Sequence, residues 1–220
     1  RATDPGILSG AAAQEQRRDL YPGREKTLLL LPGSRRGEIA KLLDPFAQTV
    51  SILSEHGHRL KLLLPTVPHV AESVATAVSA WPLRPKIIVD SEEKYRAFGE
   101  ADAALIASGT VSLELALAGV PMVSTYKLDP LMRLGQSRIK VWSALLPNLI
   151  ADRPLVLEVY NEYVRPAYLA RHLEVLFSDA EYRTWLSHGF ADIRRRMATD
   201  RPSGELAADV VLRRIGSRAV

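Results

Sequence analysis

Short, almost unbroken apolar segments recur along the chain at residues 27–31, 60–64, 86–90, 103–107 and 122–126. A strand with one wet face alternates apolar and polar positions; these do not, which is the pattern of strands covered on both sides. Between them, residues 38–56, 69–80, 92–101 and 110–118 carry apolar positions at amphipathic helical spacing. Strand followed by helix, repeated, predicts an α/β fold with a doubly wound parallel sheet. The punctuation fits: Pro32-Gly33-Ser34 ends the first strand, Pro65 and Pro68 end the second, and Gly119-Val120-Pro121 closes a helix before a strand. Beyond Pro130 the pattern becomes helical, over 166–177, 181–197 and 203–215, with 145–165 read as irregular.

This pattern divides the 220 residues into a linker with a partial helix (1–23), a Rossmann-like ligand-binding domain (24–165) and C-terminal helices packing on it (166–220). A hydrophobic share of 47% and a charged share of 25% suit a folded globular chain rather than a disordered one. The absence of cysteine excludes disulfides and thiolate metal sites and permits a reducing compartment. Residues 1–23 lack a signal core or transit pattern, and the opening Arg1 reads as a start within a longer protein. The apolar runs are far shorter than the ~20 residues of a membrane helix. Net charge +4 and a pI of 9.4 would suit nucleic acid, an anionic membrane or a phosphorylated ligand. Seven Tyr, four Phe and three Trp are spread without a stacking motif, so no nucleic-acid partner is expected.

Open parallel sheets bind ligands beyond the carboxyl ends of their strands. After the first strand, Gly33 allows close backbone approach, Ser34 offers a hydroxyl and Arg35 a forked cation suited to phosphate. The plainer reading is a strand-to-helix turn with solvated arginines, and the Walker ending is missing. After the fourth strand, Ser108, Gly109 and Thr110 open a helix whose amides and dipole suit a diphosphate; Glu114, one turn on, could accept both hydroxyls of a ribose. N-capping and a polar first-turn residue are the plain alternatives. Asn148 could read a base or a phosphate, or be a turn asparagine, and Lys127 could contact phosphate or simply face solvent. The five histidines have no second ligand at suitable spacing, so no metal site is expected.

The stretches LLPGSRRGEI (30–39), ASGTVSLELALAGVPMVSTYK (107–127) and LPNLIADRPLVLE (within 145–158) resemble, in order, the lipid-A-disaccharide synthases, glycosyltransferases built from two facing Rossmann-like domains in the GT-B architecture. The resemblance runs from about Arg24 to the C-terminus and is to the C-terminal, nucleotide-sugar-binding half. It implies an inverting transfer of a diacylglucosamine from UDP-2,3-diacylglucosamine to 2,3-diacylglucosamine 1-phosphate (lipid X), releasing UDP, in lipid A biosynthesis. It also implies that Ser34 and Arg35 contact the donor phosphates, that Ser108, Gly109 and Thr110 cradle the diphosphate, that Glu114 holds the ribose and that Asn148 lies at the nucleotide. No metal or cofactor is then needed, because oriented amides and Arg35 stabilise the charge on departing UDP. No residue here is assigned as the general base, which the resemblance places in the N-terminal domain of the same protein; alone, this chain is expected to be inactive.

Two other readings share these features: another GT-B transferase or an epimerase acting on UDP-N-acetylglucosamine, and a non-catalytic binding module. The expected location is cytoplasmic, with peripheral association at an anionic inner-membrane surface as a hypothesis resting on Arg133, Arg138 and Lys140 beside Leu131, Leu134, Val141 and Trp142.

Overall fold

The computed structural model describes residues 5–16, 23–107, 109–127, 142–161, 164–201 and 203–216. In chain order the elements are α1 (Pro5–Gln16), β1 (Lys26–Leu31), α2 (Arg36–Glu55), β2 (Leu60–Pro65), α3 (Pro68–Val78), β3 (Lys86–Ile88), α4 (Ser91–Glu100), β4 (Ala103–Ala107), α5 (Val111–Leu117), β5 (Met122–Lys127), α6 (Leu146–Ala151), β6 (Leu157–Asn161), α7 (Pro166–Ser178), α8 (Ala180–Met197) and α9 (Ser203–Gly216).

Strands pair in the order β3-β2-β1-β4-β5-β6, all parallel. The order reverses direction between β1 and β4, so the sheet has a topological switch point there. The unbroken apolar runs have the burial they require: Leu28, Leu29 and Leu30 of β1 and Ala103 to Ile106 of β4 are fully buried. One face is covered by α2 and α7, the other by α4, α5, α6 and α8, with α1 laid over α4 and α5. Helix α2 presents Ile39, Leu42, Leu43, Phe46, Val50 and Leu53 to the sheet, an apolar stripe at helical spacing.

The predicted irregular stretch 145–165 contains more order than the pattern suggested. A short helix, α6, is followed by a sixth strand, β6, which pairs with β5 from Val123↔Leu157 to Lys127↔Asn161. Strand β6 lies at the sheet edge and its described side chains are only partly covered, so it lacks the continuous apolar signature of the four inner strands.

Chain termini of elements are fixed by local chemistry. Asp90 caps α4 by accepting from the Glu93 amide at 2.8 Å, and Asp179 caps α8 by accepting from Tyr182 N at 2.8 Å. Helix α5 ends where Gly119 takes φ +77° and the Val120 amide donates back to Leu115 O at 2.9 Å, after which Pro121 prevents continuation. Helix α1 is docked, not loose: Ile7 is buried, and Gln14 Nε2 donates to Phe98 O at 2.9 Å and Ala101 O at 2.6 Å. Helix α7 buries Leu169, Leu173, Leu176 and Phe177, and α8 buries Leu186, Phe190 and Ile193. Helix α9 keeps Val210, Val211, Leu212 and Ile215 exposed.

Candidate functional site

The loops that follow β1 and β4 meet at the carboxyl edge of the sheet, one on each side of the switch point. Leu31 is in register with Ile106, and a Cβ built on Gly33 would lie 3.8 Å from the Ala107 Cβ. Glycine is favoured at position 33 by its φ of +111°; a Cβ there would also displace the Glu38 carboxylate, coming within 2.8 Å of Oε2. Arg35 is the extended N-cap residue of α2, and its carbonyl accepts from the amides of Glu38 and Ile39 at 3.0 Å each. Its guanidinium is 82% exposed and donates to Glu38 Oε1 at 2.8 Å. A phosphate reaching Arg35 would therefore compete with Glu38, a local i,i+3 partner worth a few tenths of a kcal/mol in solvent. The exposed Ser34 offers its carbonyl to His69 Nε2 at 3.1 Å, which makes Nε2 the protonated nitrogen of that ring.

On the other side, Gly109 has φ +152° and open space where a side chain would stand. Thr110 is exposed, has helical angles, and makes no side-chain capping bond; the turn is closed instead by Ser112 Oγ, which donates to Gly109 O at 2.6 Å. The Ser112 and Leu113 amides turn inward to Gly109 O (3.2 Å) and Thr110 O (3.1 Å), so the amides that precede them are the ones a helix start leaves for a ligand. Ser108 lies outside the described residues. Glu114 follows within α5, 9% exposed, with Oε2 accepting from Lys94 Nζ at 3.0 Å. Lys127 ends β5 opposite Asn161, on the same carboxyl edge. The structure thus brings the loop of Ser34 and Arg35 beside the end of β4, from which Gly109 and Thr110 lead into α5 and Glu114.

It does not gather Asn148 with them. That side chain is 2% exposed and engaged with its own segment: Nδ2 donates to Val156 O at 2.9 Å and Glu158 Oε1 at 2.7 Å, and Oδ1 accepts from Val156 N at 2.7 Å. Both amide hydrogens are used. Val156 also precedes the amino end of β6, three residues before Val159, which is level with Thr125 and hence with Ala107. At strand rise this is roughly 10 Å below the Gly109 loop. The asparagine is a latch between α6 and β6, closer to the plainer reading of it as a turn residue than to a nucleotide contact. Glu158 extends the latch by accepting from Ala144 N at 3.2 Å and from Ser143 Oγ.

Three residues at this edge carried no signal in the sequence pattern. Lys94 looks like a surface lysine of α4 until α4 is packed beside α5. His69 looks scattered until the β2–α3 loop is placed against the β1–α2 loop. Thr66, just past β2, has a buried Oγ1 with no hydrogen-bond partner among the described residues; only the proline spacing around it marked a loop. Among the described residues no group of three or more His, Asp or Glu could hold a metal ion, and no helix is long and apolar enough to cross a membrane. The basic stretch with Arg133, Arg138 and Lys140 lies outside the described residues, and Trp142 beside it is 55% exposed.

With this geometry in place, comparison with known proteins is informative. The sequence profile of the lipid-A-disaccharide synthetase family matches residues 7–201. A lipid-A-disaccharide synthase from Nitrobacter winogradskyi is 40% identical over 209 residues, 94% of this chain and 52% of the relative. One from Rhodospirillum centenum is 38% identical over 222 residues, 98% of this chain and 55% of the relative. The chain spans about half the length of the curated relatives it matches. Among solved structures, MurG of Acinetobacter baumannii gives a TM-score of 0.53 at 17% identity, covering 86% of this chain and 50% of MurG. WaaG, a glycosyltransferase involved in lipopolysaccharide biosynthesis, gives 0.54 at 17% identity, covering 94% and 51%. At such identity the likeness shows the fold alone, that of one half of a GT-B glycosyltransferase. The profile match over most of the chain and the identity to full-length synthases settle the remaining question, and the chain belongs to the lipid-A-disaccharide synthetase family.

Proposed function

We propose that this chain is the nucleotide-sugar half of a lipid-A-disaccharide synthase, binding UDP-2,3-diacylglucosamine for transfer to lipid X. The observation that carries the reading is the meeting of the Gly33 and Gly109 loops at the switch point, with the buried carboxylate of Glu114 one turn into α5. A diphosphate between the loops would face the amides at the start of α5, the hydroxyls of Ser34 and Thr110, and Arg35 once it leaves Glu38, with Ser108 assigned to it from the motif alone. Lys127 at the end of β5 adds a cation to the same edge. The main-chain amides are in place before reaction and Arg35 joins them on leaving Glu38, so together they stabilise the charge that grows on UDP as the glycosidic bond breaks. Glu114 would receive the ribose hydroxyls. The general base that deprotonates the acceptor hydroxyl belongs, in this reading, to the N-terminal domain of the relatives, and the chain alone is inactive. Domain limits of 24–165 for the nucleotide unit and 166–220 for the C-terminal helices, of which α7 and α8 pack on it and α9 leaves its apolar residues exposed, complete the proposal, together with a cytoplasmic location and peripheral contact with anionic lipid.

Calorimetric titration of the chain with UDP tests it. Glu114→Ala and Arg35→Ala should each weaken UDP about tenfold, or roughly 1.4 kcal/mol. Unchanged affinity in both variants would remove the site. Competition between diacylated and unacylated UDP-glucosamines separates this reading from a transferase or epimerase acting on UDP-N-acetylglucosamine: only the synthase half gains from the acyl chains. For the membrane contact, flotation with anionic liposomes should fall at least threefold in the Arg133→Ala/Arg138→Ala/Lys140→Ala variant, at about 1 kcal/mol per cation near the surface; unchanged flotation removes that patch.

A further inference from the structure

We propose that Lys94 is a positioning residue for nucleotide recognition, its ammonium holding the Glu114 carboxylate in one orientation toward the ribose. The inference rests on the reading of Glu114 as the ribose acceptor. Glu114 and Lys94 come from different elements, α5 and α4, and their contact at 3.0 Å is formed by side chains only 11% and 26% exposed. An exposed pair would exchange with water and hold nothing; a pair this covered has little solvent to fall back on.

The lysine is itself well fixed. Its Nζ lies 4.6 Å from the Tyr95 ring centroid and 5.8 Å from that of Phe98, so the ammonium is held beside two aromatic faces. Phe98 is fully buried, and Tyr95 is pressed by α1, where a Cβ on Gly6 would come within 2.4 Å of the Tyr95 ring. Helices α1 and α4 thus form a rigid backing for the cation, and the cation reaches across to the first turns of α5. The ammonium on Oε2 takes one of the about four lone-pair positions that a carboxylate offers. What the lysine supplies is a preselected side-chain rotamer, which removes ordering cost from nucleotide binding.

The test compares UDP with 2′,3′-dideoxyuridine diphosphate, which lacks both hydroxyls, on the 220-residue chain by calorimetry. The parent should prefer UDP. Lys94→Met should weaken UDP about tenfold and leave the dideoxy analogue unchanged, erasing the preference, while Lys94→Arg should restore most of it. Melting midpoints of both variants confirm that folded protein is being titrated, and Lys94→Gln serves if the methionine variant does not fold. Equal weakening of both nucleotides, or a retained preference in the methionine and glutamine variants, overturns the positioning role. Glu114→Gln separates the two levels: if it leaves the preference intact, Glu114 is not the ribose acceptor and both readings fall. If it abolishes the preference while Lys94→Met does not, only the role of Lys94 is lost.

Discussion

Asn148→Ala should lower the melting midpoint by roughly 6–12 °C while leaving UDP affinity within about twofold of the parent. The stability loss follows from what the side chain does. It makes three hydrogen bonds in a position 2% exposed, and truncation strands the Val156 amide and carbonyl where water does not replace it. Stranded buried groups cost about 1–3 kcal/mol each, so a total of about 3 kcal/mol is a conservative sum. Glu158, which also accepts from Ala144 N, loses a donor and with it part of its hold on the segment entering α6. Thermal denaturation followed by circular dichroism, with calorimetry well below the midpoint, reads both quantities. A variant that melts like the parent but no longer binds UDP would put the Asn148 amide on the nucleotide and reverse the assignment made from its hydrogen bonds.

Asn148 also shows where reading a sequence reaches its limit. The four inner strands were legible because a strand buried on both faces has no choice but to be apolar throughout, as Leu28 to Leu30 and Ala103 to Ile106 are, and the edge strand β3 was legible from its short apolar run although only Ile88 of it is buried. Strand β6 was not legible, because an edge strand with partly covered residues such as Glu158 and Tyr160 carries no such constraint. The loops at Gly33 and Gly109 were legible for a different reason: both need positive φ, and a glycine placed between a strand and a helix announces that need. The partners of Glu114 and Asn148 could not be read at all. Lys94 is 20 residues from Glu114 in the chain and lies in another helix, so only tertiary packing brings the two together. For Asn148, the motif around it speaks for the family, whereas the job of its side chain is decided by Val156 and Glu158, which the chain brings back beside it through the turn after α6.

The largest loss of stability is expected at Asp102, far from the ligand edge. Its carboxylate is 1% exposed and is the point where the amino ends of β1 and β4 are joined. Thr27 N donates to Oδ2 at 2.7 Å, Arg24 Nη1 donates to the same oxygen at 3.0 Å, and Arg24 Nη2 engages Oδ1. Main-chain bonds complete the junction: Asp102 N donates to Thr27 O at 2.8 Å, and its carbonyl accepts from Arg183 Nη1 of α8 at 2.7 Å. Asp102→Ala leaves the Thr27 amide without its acceptor and Arg24, 27% exposed, without its counter-charge. Breaking one partner of such a covered pair costs about 3–5 kcal/mol, or roughly 6–20 °C in a chain of this size. Arg24→Ala should cost nearly as much, because it leaves a buried carboxylate short of its cation, and the double variant should lose less than the sum of the two. Strands β1 and β4 lead into the Gly33 and Gly109 loops, so the same junction sets the relative height of the two glycines. Asp102→Asn keeps an acceptor for Thr27 N and should retain more stability than Asp102→Ala. Additive losses in the denaturant-melting cycle of the Asp102 and Arg24 alanine variants would show that the pair does not act as a unit and that the two strands are held by their ladder alone.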